Sequence, residues 1–174
     1  RRSHPYTLKG RLLIVTFSRF LGLAEPNFIA MISIVNVMEG TKMQKVRTAS
    51  CSCGQVEIIA RGAPIRSALC HCVSCQKRTG SVFGVQVRFL LEQVTINGDL
   101  NQFTRIADSN NSVNHSFCPA CGTTMLLSLS VAREYAIIPM GVFNVQDFPP
   151  PSFSVYEERK HDWVEFSQQM EHFL

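Results

Sequence analysis

The stretch QVEIIARG, residues 55–62, alternates Val56, Ile58 and Ala60 with polar neighbours and breaks at Gly62 and Pro64. A period of two marks a half-buried strand, because successive side chains point to opposite faces of a sheet. The alternation recurs in FGVQVRF, where Val85, Val87 and Phe89 stand against Gln86 and Arg88. It recurs again in SVNHSF, where Val113, His115 and Phe117 stand against Asn114 and Ser116. VTINGD reads as a short strand running into an Asn97-Gly98 turn, a strong hairpin signal. TTMLLSLS and EYAIIPMGVF supply two further candidate strands. EFSQQMEHFL differs: Phe166, Met170 and Phe173 fall at helical spacing and predict a short amphipathic C-terminal helix. The pattern as a whole predicts a mainly β domain of short antiparallel strands joined by tight loops, with its cysteine-bearing loops at strand ends.

Residues 1–47 have another texture. The run RLLIVTFSRFLGLAEPNFIAMISIVNVM is apolar, but Arg19, Glu25 and Pro26 interrupt it. Its longest charge-free part, Pro26 to Met38, falls short of the roughly 20 residues that span a bilayer. Arg1, Arg2, Lys9, Arg11 and Arg19 all precede the first acidic residue, Glu25, which is the balance of an organelle-targeting leader over residues 1–30. The plainer expectation is an extension that is disordered or not native, with Met31, Met38 and Met43 as candidate starts. The expected organisation is an extension over 1–47, a metal-bearing domain over 48–166 and a tail over 167–174.

Charge changes the picture once it is divided. The net charge of the 174 residues is +4. Residues 1–50 hold eight Lys/Arg and two Asp/Glu, which is +6, whereas residues 51–174 hold nine and eleven, which is −2. The cysteine-bearing part therefore lacks the basic surface that exchanges counterions on nucleic acid, and no nucleic-acid partner is expected.

All seven cysteines lie between Cys51 and Cys121. An odd number fits poorly with a closed disulfide framework, and the C-x-C and C-x-x-C spacings read as reduced metal ligands in a cytoplasmic protein. Cys51 and Cys53 (CSCG) and Cys118 and Cys121 (CPACG) each precede a glycine that permits a tight turn. Together they offer four thiolates, the donor set of a closed structural zinc site. Four buried thiols without an ion are the bland alternative. Cys70, Cys72 and Cys75, in LCHCVSCQKRTGS, offer three thiolates to a second zinc. Three protein ligands with an open fourth position are the mark of a catalytic zinc site. Three thiolates on a divalent ion leave about −1, which suits a soft thiol ligand and a thiolate nucleophile.

Other readings stay open on spacing alone. His71 could complete the second site, a remote His115 or His161 could do so, or the thiols could hold an iron–sulfur cluster. Lys77 and Arg78 could receive the carboxylates of an acidic thiol such as glutathione, or form a solvated turn.

The motifs SCSCGQVE, LCHCVSCQKRTGSVFG and FCPACGTTM, in this order, resemble those of the glutathione-dependent formaldehyde-activating enzyme family, which includes centromere protein V. MGVFNVQDFPPP and the tryptophan of RKHDWVEF resemble its C-terminal pattern, so the likeness covers about residues 48–166. The resemblance implies an antiparallel zinc-bound β-tent fold and two zinc ions per chain. One would be structural, on Cys51, Cys53, Cys118 and Cys121; the other, on Cys70, Cys72 and Cys75, would be linked to activity. It also implies a carbon–sulfur lyase that joins glutathione and formaldehyde, or separates S-hydroxymethylglutathione. A non-enzymatic protein- or chromatin-binding module is the alternative, and the open three-cysteine site is what separates the two.

Overall fold

The computed structural model describes residues 44–143, 145, 147–166 and 169–174. The expected leader and the three candidate starts lie outside these residues. The described chain enters its first strand at Val46, two residues before the expected domain start.

Eleven strands and one helix follow in order. They are β1 (Val46–Ser50), β2 (Glu57–Arg61), β3 (Arg66–Cys70), α1 (Val73–Thr79), β4 (Gly84–Leu90), β5 (Val94–Asn97), β6 (Asn101–Ile106), β7 (Ser112–Phe117), β8 (Thr124–Leu129), β9 (Ala132–Pro139), β10 (Phe153–Val155) and β11 (Glu171–Phe173). A small sheet is ordered β1-β2-β5, and a large one β11-β10-β3-β4-β9-β8-β7-β6. The fold is mainly β, as the alternation predicts. From β3 to β6 the large sheet is antiparallel, while β10 runs parallel to both β3 and β11.

The period-two residues make the core between the two sheets. Ala49, Val56, Ile58 and Ala60 from the small sheet pack with Val87, Phe89, Met125 and Ile138 from the large one. Phe143 joins them, 6.0 Å from the Phe89 ring. Each fully buried Ile or Phe contributes about 2 kcal/mol of transfer free energy, so this layer holds the sheets together. The opposite face of the large sheet is left to form the site.

Three local expectations change. The Asn97-Gly98 turn does not close a hairpin: β5 pairs with β2, whereas β6 pairs with β7 in the other sheet. Gly98 has φ +95°, and a Cβ there would meet the Gln55 carbonyl oxygen at 2.3 Å. The glycine therefore serves a crossing between sheets that passes close over the backbone. In β7 the burial departs from the expected alternation: Val113 and Ser116 are buried, whereas His115 and Phe117 are only partly so, and opposite Ser116/Phe117 Met125 of β8 is an extra residue.

Among the described residues the predicted C-terminal helix is not formed. Glu171–Phe173 is a strand paired in parallel with Phe153–Val155, and the Phe173 ring stacks on Phe153 at 6.0 Å. A ten-residue helix is marginal in water, and the free edge of β10 offers the same backbone partners plus an aromatic contact.

Candidate metal centres and the cavity beside them

Two cysteine clusters form, divided as the spacing suggested. The sulfur atoms of Cys51, Cys53, Cys118 and Cys121 lie within 4.8 Å of one another, and so do those of Cys70, Cys72 and Cys75. All seven are free thiols.

The four-sulfur cluster follows the ends of β1 and β7, so it clips the small sheet to the large one. Its two halves are built alike. Gly54 and Gly122 adopt φ +77° and +72°, and their amides return to the carbonyls of Cys51 and Cys118 at 3.0 and 2.9 Å. Cys51 Sγ accepts the amide hydrogen of Val56 at 3.2 Å, and Cys121 Sγ lies 3.2 Å from the Thr123 hydroxyl. That hydroxyl contact is the first cause lowering the Cys121 thiol to about 5.

The three-sulfur cluster is assembled locally. Cys70 ends β3, where it pairs with Gly84 on one side and Val155 on the other. Cys72 caps α1, and its sulfur accepts the Cys75 amide at 3.4 Å. Gln86 on β4 donates Nε2–H to Cys75 Sγ at 3.2 Å. All three cysteines are buried. Their thiols cannot ionise independently. Hydrogen bonds from Cys70 and Cys75 pull Cys72 down to about 2, whereas the bond shared with Cys72, then that with Cys75 and burial, pushes Cys70 upward. Three thiolates this close need a cation between them, so the donor set fits a soft divalent ion.

One side of the trio opens on a cavity of about 350 Å³. His71, between Cys70 and Cys72 in the chain, is fully buried against Phe83 and Phe166, with ring centroids at 5.8 and 6.1 Å. His71 neither joins the sulfur cluster nor lines the cavity. Burial is the first cause lowering its pKa. His115 and His161 also stand outside both clusters.

The cavity lies on the face of the large sheet that turns away from the core. Arg66, Ala68 and Cys70 of β3 oppose Arg88, Gln86 and Gly84 of β4, pair by pair. Val113, Leu127 and Ile137 form an apolar cluster at its floor. Arg105 of β6 and Tyr156, after β10, contribute further polar walls. Tyr156 has φ +59°, a strained setting for a bulky residue.

Lys77 and Arg78, the cationic pair read beside the motif, do not line the cavity. The arginines that do were missed, since alternation places Arg88 on a polar face without saying what that face meets.

A sequence-family model described as glutathione-dependent formaldehyde-activating enzyme matches residues 46–159. No curated protein matches the chain. Among solved structures, the chain is similar to a Rhodobacter sphaeroides protein at 18% identity and a TM-score of 0.45, covering 59% of this chain and 91% of that one.

Proposed function

Because the chain belongs to the glutathione-dependent formaldehyde-activating enzyme family, we propose that it is a zinc-dependent carbon–sulfur lyase acting on thiol–aldehyde adducts of the S-hydroxymethylglutathione type. The observation that carries this reading is a buried trio of sulfurs at the wall of a cavity large enough for a small ligand. In it, Cys51, Cys53, Cys118 and Cys121 hold a structural zinc, and Cys70, Cys72 and Cys75 hold a second. The second ion would supply a cationic position that keeps a substrate thiol ionised near neutral pH.

The chain's own groups then act on the substrate's surroundings. Gln86 fixes Cys75, the Cys75 amide fixes Cys72, and the ends of β3 and β10 fix Cys70. The cavity walls orient the adduct and limit access of water. In the forward direction a C–S bond forms as the aldehyde C=O opens to a hydroxyl, and the proton lost by the thiol ends on that oxygen. The reverse reaction returns thiol and aldehyde. His71 takes no part in this scheme, because it lies outside the cavity.

A non-enzymatic binding module is the second reading, but a scaffold has no use for a three-thiol site beside a cavity. Cysteines grouped as two sets of metal ligands suit a reducing compartment, and so a cytoplasmic protein. Among the described residues no helix is long and apolar enough to cross a membrane.

The test is metal content per chain and turnover of glutathione with formaldehyde, for wild type, Cys72→Ser and Cys118→Ser. Two zinc ions should fall to one in Cys72→Ser, with the fold kept and the rate above background lost. Cys118→Ser should lose both the clip and much of the stability. A fully active Cys72→Ser protein would rule the lyase out.

A further inference from the structure

Arg66 and Arg88 are direct cross-strand partners on the cavity face of β3 and β4. Like charges placed opposite each other in an antiparallel pair destabilise it. Neither guanidinium has a carboxylate partner among the described residues. Each is held over a ring instead: Arg66 lies 5.1 Å from the Phe153 centroid and Arg88 4.9 Å from that of Tyr135. Such contacts position a cation without neutralising it. A third arginine, Arg105, reaches the same cavity with its Nε buried and unpartnered. The carboxylate in the lining, Asp108, is engaged by Arg159. Burial, then the charge of Arg66, lowers the pKa of Arg88, so the pair is under electrostatic load.

We propose that Arg66 and Arg88 form an anion subsite that receives a carboxylate of the substrate while the substrate sulfur lies at Cys70, Cys72 and Cys75. Arg66, Ala68 and Cys70 share one face of β3, and the Phe153 ring under the Arg66 guanidinium stands level with Ala68. Two to four residues of strand separate the two ends, about 7 to 13 Å. The cavity therefore selects a thiol of short-peptide length bearing a carboxylate at its far end, and discriminates against small neutral thiols. Arg66 and Arg88 are specificity-determining residues in this arrangement, remote from the bond that breaks. The inference rests on the thiol-site reading of the cavity, and its test separates the two.

Calorimetric titration of the full chain with S-methylglutathione, whose sulfur is capped, and with its dimethyl ester reads the subsite apart from turnover. Wild type should bind the acid at least about tenfold more tightly than the ester. In the double variant Arg66→Gln, Arg88→Gln the acid should fall to the ester's level, while Arg88→Lys retains part of the preference. The double variant loses a like-charge pair and two ring contacts, which offset each other, so its Tm should stay within about 4 °C of wild type. Equal binding of acid and ester by wild type, no binding of either, or unchanged acid binding by the double variant overturns the proposal. If the lyase reading alone is wrong, the preference for the acid persists in a protein without turnover. If the subsite alone is wrong, turnover of the glutathione adduct is untouched by the double variant.

Discussion

Arg159 Nη1 meets Asp108 Oδ2 at 2.6 Å, joining the segment after β10 to the turn after β6. β6 is one edge of the large sheet, and β10 lies next to the other. The contact means that the sheet bends until its two sides meet beside the cavity. The hydrogen bond that Arg159 donates to Asp108 is also the first cause raising the pKa of Arg159.

This pair is half-exposed, so it fastens the bend without supplying much stability. Asp108→Ala should lower Tm by no more than about 4 °C, and by less at high salt. A thermal melt at two ionic strengths checks this. A much larger, salt-independent fall would show that the pair sets the bend itself.

Glycines 98 and 54 separate two costs. Both have positive φ, but a Cβ at Gly54 meets nothing within 4 Å, whereas one at Gly98 strikes the Gln55 carbonyl. Gly54→Ala should cost about 1–2 kcal/mol of backbone strain. Gly98→Ala adds a backbone clash and should cost about 3 kcal/mol or more. Urea unfolding of the two variants measures the difference, and equal costs would refute the close crossing.

Glu157 gives the C-terminal strand a pH dependence. Its carboxylate accepts the Ser154 hydroxyl hydrogen and lies 2.9 Å from His172 Nδ1 of β11. Burial raises its pKa, but these partners outweigh burial and leave it lowered. A carboxyl lowered on folding stabilises above its unfolded value, about 4.3, and that contribution is lost as pH falls through the folded value. Glu157→Gln should therefore cost about 1–2 kcal/mol near pH 7 and almost nothing near pH 3. Unfolding free energies at both pH values decide it; a cost that does not shrink in acid would assign the effect to packing.

His71 has both ring nitrogens buried without a partner in hydrogen-bond geometry among the described residues. An apolar side chain of similar size removes that penalty. His71→Leu should change stability by less than about 1 kcal/mol and leave metal content and turnover intact. A large loss of turnover with both metal ions retained would return His71 to the chemistry.

The sequence by itself determined the chelating units, Cys51 with Cys53, Cys118 with Cys121, and Cys70 with Cys72 and Cys75, because chelating thiols must lie close along the chain; that the first two units meet, 65 residues apart, was decided by the fold. The sequence also determined most strands, because a period of two is written locally. Val56, Ile58, Val87 and Phe89 are buried as their alternation requires. Partners were decided by tertiary structure. No alternation marked β3, which puts Arg66, Ala68 and Cys70 on one face, and none said that Arg88 stands opposite or that this face lines a cavity. Nor could Asn97-Gly98 disclose that its flanking strands belong to different sheets. The C-terminal apolar spacing suited a helix in isolation, but the open edge of β10 was a stronger competitor. Strand pairing joins residues far apart in the chain, so its free energy depends on register and on neighbours that no local pattern records.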